Sequence, residues 1–173
     1  MYKAFARMLY NRLSPKLFRS QSWDQHAFTP GIRIEDALLC AEASIEYSLE
    51  YQVPLWMLSM DLRKAFDTID HHALLHSLRL HGIDEGYCTL LHLLYGGQYG
   101  SVHGSSSFSV LRGVKQGDVL SAILFNCPFD LTFDKWKRRL SHEGLYVGYS
   151  LERLTNTRYA DDVLLYAKSL SEL

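Results

Sequence analysis

Apolar positions recur along this chain with two different periods, and each predicts its own elements. Phe5, Leu9, Leu13 and Leu17 stand four residues apart, the spacing of one buried helical stripe. Ser14-Pro15 falls inside that stripe, and the missing proline amide predicts a kink or a division into two short helices. Residues 20–33, SQSWDQHAFTPGIR, are rich in turn formers and read as a loop. A second helix is predicted over 35–51, with Leu38, Ala41, Ile45 and Leu49 inward and Glu42, Glu46 and Glu50 on another face. Pro54 ends it. PLWMLSMD then forms a short, nearly continuous apolar run, as in a covered strand, and stops at Asp61.

Residues 71–81 and 84–95 return to helical spacing, separated by Gly82. GGQYGSVHGSSSFSVLRG combines Gly and Ser with Tyr, Val and Phe and reads as a β-hairpin. Gly117-Asp118 opens a long helix over 118–140, with Asp118 as N-cap and Pro128 as a kink. Gly144 and Gly148 bracket a short strand, and two further strands, 154–160 and 163–168, pivot on Asp161 and Asp162. Alternation this irregular excludes a doubly wound parallel sheet. The fold class is α+β: a small antiparallel sheet backed by helices. No internal repeat or linker interrupts it.

Composition narrows the class of protein. The chain has 173 residues, 47% apolar and 21% charged, enough to enclose a core without disulfides or structural metals. Cys40, Cys88 and Cys127 are odd in number and lack CxxC spacing, so they read as free, reduced thiols of an intracellular protein. No apolar run approaches the roughly 20 residues that span a bilayer. The basic start, MYKAFARMLYNRL, reads as an ordinary helix rather than a presequence. The net charge of −1 excludes a uniformly basic nucleic-acid binder, yet Lys3, Arg7, Arg12, Lys16 and Arg19 cluster without an acid among them.

The chemistry concentrates in RYADDVLLYA, residues 158–167. In a straight strand Asp161 and Asp162 would point to opposite faces, but at a hairpin tip both can reach one site. An Asp pair at a turn is by itself unremarkable, because Asp favours turns. Asp61 changes that reading, since it also ends an apolar strand. Were these carboxylates to converge at ~4 Å, each like-charged pair would cost ~4 kcal/mol at an effective dielectric of ~20. Such a cluster needs a cation or a held proton. Oxygen ligands alone suit Mg²⁺ or Mn²⁺, and two such ions can clamp the oxygens of a phosphoryl transfer.

Four stretches, in this order, resemble reverse transcriptases of non-LTR (LINE-type) retrotransposons. DQHAFTPGIRIEDAL is similar to the family's DQxGFxxGRS segment, and LSMDLRKAFDTIDHHALLHSLRLHGI to polymerase motif A with its following helix. RGVKQGDVLSAILFN resembles motif B, and TRYADDVLLYA motif C. The resemblance implies a palm-like fold with partial helical fingers: fingers-like helices over 1–52 and a palm over 53–173, in one partial reverse transcriptase domain. Asp61 and Asp161 would be metal ligands, Asp162 their companion acid, and the Leu62 carbonyl a further ligand. Phe66 would pack beneath the incoming sugar, and Gln116 and Gly117 would lie against the nucleotide and template. Tyr159 would line the primer terminus, and Arg33 and Lys115 would contact primer or template. The implied cofactors are two Mg²⁺ or Mn²⁺ ions; the implied partners are an RNA template, a DNA primer and dNTPs. The implied location is the nucleus or cytoplasm.

Bland readings stand beside these. Phe66 can be core, Lys115 a surface lysine, Asp67 and Asp70 local caps or pairs, and Lys64 and Arg63 solvated. KWKRR, residues 135–139, serves equally as a nucleic-acid contact or an exposed helix end. His72 and His76 have zinc-like spacing but no third ligand, and read as surface or packing residues. Val119 and Ala122 stand where motif B usually has prolines, and Pro128 interrupts an apolar helix. The lysine-bearing motif D, the primer grip and the thumb are expected beyond Leu173. Two alternatives remain open: a non-catalytic relic or domesticated palm that binds RNA or protein, and a palm that copies RNA into RNA.

Overall fold

The computed structural model describes residues 2–103, 106–140, 142–147 and 153–173. Six helices and five strands are assigned among them: α1 Tyr2–Ser20, α2 Ile34–Tyr51, β1 Trp56–Asp61, α3 Ala65–Thr68, α4 His71–Leu80, α5 Glu85–Tyr95, β2 Gln98–Gly100, β3 Phe108–Val110, α6 Val119–Lys137, β4 Asn156–Tyr159 and β5 Asp162–Ala167. The fold is α+β with small antiparallel sheets, as the irregular alternation predicts. The chain divides into two compact units, residues 1–21 with 64–131 and residues 22–63 with 132–173.

The first unit is built on helices. Leu9, Leu13 and Leu17 bury the α1 stripe read in the sequence, with Ala6 buried where Phe5 was expected and Phe5 half-buried, together with Leu74, Leu75 and Leu78 of α4, Cys88 and Leu91 of α5, and Leu120, Ile123 and Leu124 of α6. Proline does not divide α1, which runs as one helix through Pro15. The buried residues Leu13, Ser14 and Leu17 flank that proline, so packing offsets the missing backbone bond. Asp70 caps α4 by accepting from the His72 and Ala73 amides at 2.9 and 3.0 Å. These bonds, the one from Ala73 foremost, hold the Asp70 carboxyl below its usual range. Asp84 caps α5 in the same manner, through the Gly86 amide. The predicted hairpin is present as β2 and β3, with Gln98 opposite Val110.

The second unit carries a three-stranded antiparallel sheet in the order β1-β5-β4. Two expectations are corrected here. The first concerns α2, whose Leu38, Ile45 and Leu49 do not face inward: they are 56%, 43% and 68% exposed. The helix turns Cys40, Ser44 and Ser48 inward instead, with Ser44 buried and Cys40 against Leu145, Leu154 and Tyr166. These positions are four apart, the same period read one position off. Small side chains let the helix axis approach β4, where Thr157 Oγ1 donates to Cys40 Sγ at 3.4 Å. The second concerns β1, which is an edge strand rather than a covered one: Trp56 and Leu58 are 45% and 41% exposed.

The segment bracketed by Gly144 and Gly148 shows a single antiparallel bridge, Leu145 with Leu154, among its described residues; Gly148 lies outside them. Cys88 and Cys127 are buried free thiols and Cys40 is a half-buried one, as their spacing predicts. No helix among the described residues is long and apolar enough to cross a membrane.

Candidate active site

The three predicted acids belong to the second unit, and strand register brings them to one end of its sheet. β4 and β5 form a hairpin whose turn is Ala160-Asp161 and whose closing pair is Tyr159 with Asp162. Asp162 is also paired with Asp61, the last residue of β1. Directly opposed residues of an antiparallel ladder share a face, with Cβ atoms about 5 Å apart. Tyr159, Asp162 and Asp61 therefore form a row across three strands, and Asp161 sits in the adjoining turn. The acid directly across from Asp61 is Asp162, whereas Asp161 lies outside the ladder.

Asp61 and Asp162 are exposed and Asp161 is half-buried. None of the three forms an ion pair among the described residues. Acceptor oxygens of like charge at one sheet end are a donor set that fits a hard divalent cation. Among the described residues no group of three or more His, Cys, Asp or Glu side chains is placed to hold a metal ion. Leu62, whose carbonyl the family resemblance names as a ligand, follows Asp61 directly.

The hairpin is secured from behind by residues 24–27. Arg158 N–H donates to the Asp24 carbonyl at 2.7 Å, and His26 N–H donates to the Arg158 carbonyl at 2.9 Å. This lays the loop parallel to β4 at Gln25 and Arg158. The Asp24 side chain, 1% exposed, accepts from the buried Arg158 guanidinium, from Asn156 Nδ2 at 2.8 Å and from Lys137 Nζ at 2.6 Å. The Arg158 guanidinium carbon lies 4.4 Å from the centre of the Phe133 ring. Gln25 Nε2 donates to the Ala160 carbonyl at 3.1 Å, and Gln25 Oε1 accepts from the Ala160 N–H at 3.1 Å. Ala160 has φ +56°, a left-handed conformation costing about 1–2 kcal/mol for an L-residue with a Cβ.

Burial pushes the Asp24 carboxyl up, but the Arg158 charge and the hydrogen bonds from Lys137 and Arg158 outweigh it and leave it below the usual range. A carboxyl depressed in the folded state contributes its full stability above the unfolded value of about 3.9 and loses it as pH falls through the folded value. Urea melts across this acid range should show stability dropping below about pH 4. An Asp24→Asn chain should lack that component of the drop.

Phe66, Lys115, Gln116 and Gly117 belong to the first unit. Phe66 stacks on Phe125, with centroids 4.5 Å apart and planes 16° from parallel, and its carbonyl accepts from Val114 N–H at 2.8 Å. Its ring is half-buried, so it serves the core at least in part. Gln116 Nε2 donates to Asp67 Oδ1 at 3.0 Å, which gives Asp67 a partner 49 positions away rather than a local one. Lys115 Nζ stands 4.4 Å from the Tyr2 ring centre. Gly117 has φ +79°, a conformation that favours glycine, just ahead of the Asp118 cap. Leu120 N–H donates to that cap at 3.3 Å. Tyr2, Asp67, Arg112, Lys115 and Gln116 line one open groove.

Other candidates resolve simply. Arg33 is exposed ahead of α2, where its N–H donates to Asp36 Oδ2 at 2.7 Å. His72 and His76 are exposed on α4. Within 135–139, Lys137 is committed to Asp24 and Ser22, while Lys135, Arg138 and Arg139 are exposed. Sequence reasoning missed Asp24, Gln25 and Arg158. The signal was a charged residue inside a predicted strand, between Thr157 and Tyr159, and an acid preceding Gln25 with no helix to cap.

The sequence is similar to those of known proteins. A family model described as "Reverse transcriptase (RNA-dependent DNA polymerase)" matches residues 1–173. A Drosophila melanogaster protein, "Retrovirus-related Pol polyprotein from type-2 retrotransposable element R2DM", is 33% identical over 171 residues, covering 94% of this chain and 16% of the fly protein. "Transposon TX1 uncharacterized 149 kDa protein" of Xenopus laevis is 28% identical over 176 residues, covering 99% of this chain and 13% of its own length. "Putative COX1/OXI3 intron 2 protein" of Saccharomyces cerevisiae is 33% identical over 111 residues, covering 64% of this chain and 12% of the yeast protein. The chain belongs to the reverse transcriptase family, and its resemblance to the enzymes of non-LTR retrotransposons is borne out. It spans about a sixth or less of the length of these relatives.

Proposed function

We propose that this chain is the catalytic segment of an RNA-directed DNA polymerase, joining dNTPs to a DNA primer on an RNA template. The observation that carries the reading is the register that puts Asp61 opposite Asp162 beside the Asp161 turn. The sheet end is then the floor of a polymerase palm, with 53–173 as palm and 1–52 as fingers-like helices. Asp61, Asp161 and Asp162, with the Leu62 carbonyl, would hold two Mg²⁺ or Mn²⁺ ions. When bound, such ions neutralise charge on the phosphates and orient the attacking and leaving oxygens.

The protein's own part is positioning and charge. The primer 3′-hydroxyl loses its proton to solvent as its oxygen attacks the α-phosphorus of a dNTP, the bond to the bridging oxygen breaks, and pyrophosphate leaves. Tyr159, in the same row as Asp61 and Asp162, presents a ring and hydroxyl to the primer terminus. By residue match, Phe66 excludes a 2′-hydroxyl, Gln116 and Gly117 contact the nucleotide, and Lys115 and Arg33 contact primer or template. A polymerase of this family works inside the cell, in nucleus or cytoplasm.

The test is extension of a labelled DNA primer on an RNA template with Mg²⁺ and dNTPs. It is run with this chain and with a polypeptide extended to the length of its relatives. Synthesis by the longer polypeptide, lost on adding EDTA, supports the reading. Synthesis from ribonucleotides alone would instead assign an RNA-copying polymerase, and metal binding without synthesis would assign a binding domain. In the active polypeptide, Phe66→Ala should raise ribonucleotide incorporation relative to deoxyribonucleotide roughly tenfold. Unchanged sugar discrimination would leave Phe66 a packing residue on Phe125.

A further inference from the structure

We propose that Gln25 is a positioning residue for catalysis: its side-chain amide clamps Ala160 and so aims Asp161 at the shared ions. The inference rests on the reading of Asp161 as a metal ligand and goes beyond it. The central residues of a two-residue hairpin turn lie outside the ladder, whose closing pair here is Tyr159 with Asp162. Gln25 supplies what the ladder does not. One planar group donates to the Ala160 carbonyl and accepts from the Ala160 N–H, both at 3.1 Å. Among neutral side chains only a carboxamide carries a fixed N–H donor and C=O acceptor side by side, so Gln25 imitates the edge of a neighbouring strand.

The clamp has a short leash. Gln25 is 1% exposed, and its Oε1 also accepts from Ala27 N–H at 3.1 Å. Its neighbours on either side are bonded to Arg158: Asp24 through its carbonyl and His26 through its N–H. Residues 24–26 are thereby fixed to β4 two positions before Ala160. Ala160 holds φ +56°, which an alanine adopts only when its surroundings impose it. Asp161 is the next residue, so that dihedral sets where its carboxylate points. Gln25 acts through its two bonds to Ala160.

The experiment compares the unmodified chain with Gln25→Met, Gln25→Glu and Asp161→Asn. Mn²⁺ affinity is read from the free-ion resonance signal, and hydrogen exchange is followed at the amides of Ala160, Val163 and Tyr166. Gln25→Met keeps length and apolar volume and removes both bonds. It should weaken Mn²⁺ binding about tenfold and speed Ala160 exchange at least as much, with Val163 and Tyr166 protection unchanged. Unchanged Mn²⁺ affinity with faster Ala160 exchange overturns the positioning role. Should Gln25→Met not fold, Gln25→Glu decides, because it keeps the acceptor and loses the donor; unchanged affinity there overturns the proposal equally. Rapid Ala160 exchange in the unmodified chain overturns it without any variant. Asp161→Asn separates the two levels: if it leaves Mn²⁺ binding intact, the underlying metal assignment fails, whereas loss with Asp161→Asn but not with the Gln25 variants removes only the clamp.

Discussion

Asp161→Asn lowers primer extension by more than about 10³-fold in a polymerase-active polypeptide carrying this segment, while leaving its thermal unfolding unchanged. The size follows from the role. Removing one preorganised stabiliser of transition-state charge costs about 10²–10³-fold, and Asn replaces an anionic oxygen with a neutral one in a site whose purpose is to hold cations. The fold should not notice, because Asp161 lies in the turn rather than the ladder and has no ion-pair partner among the described residues. Asp61→Asn should behave alike, since Asp61 ends β1 on an exposed face. Single-turnover extension beside a thermal melt checks both. Retained extension with either variant would remove that residue from the site.

Asp24→Asn should do the opposite, destabilising the fold by about 3–5 kcal/mol. Arg158 is wholly buried, and Asp24 is its carboxylate partner. Asn keeps the shape but not the charge, so a guanidinium stays in the interior uncompensated. The Phe133 ring beside it returns only a fraction of the loss, about 1–2 kcal/mol for a desolvated contact. The double replacement Asp24→Asn with Arg158→Met should cost much less than the two single losses added, because no lone charge remains. Urea unfolding of the four chains measures the cycle. Additive losses would mean that the pair is not coupled. The same loop carries Gln25, so loss of stability at Asp24 should be accompanied by loss of metal affinity.

Much of this was written locally in the sequence. Helix caps are short-range chemistry, so Asp70 and Asp118 announced the starts of α4 and α6. YADD between apolar runs announced a hairpin, because the turn needs only neighbours. What was not legible depends on partners distant in the chain. The face of α2 was misread because Leu38, Ile45 and Leu49 outweigh Cys40, Ser44 and Ser48 in any hydrophobic count, whereas close approach to β4 selects the small side chains. The exposure of Trp56 and Leu58 depends on what covers that face of the sheet, which no local pattern encodes. Asp24, Gln25 and Arg158 pair across more than 130 positions, and only the folded chain brings them together. The three acids were singled out as candidates from sequence, but the rung that opposes Asp61 to Asp162 rather than Asp161 was not legible there.

The central claim is that Asp61, Asp161 and Asp162 share divalent ions. Mn²⁺-induced line broadening of the backbone amide signals, residue by residue, measures this directly. The amides of Asp61, Asp161 and Asp162 should broaden together at one Mn²⁺ concentration, and all three should lose the effect in Asp61→Asn. Broadening confined to one strand end, or surviving at the hairpin when Asp61 is replaced, would contradict the account.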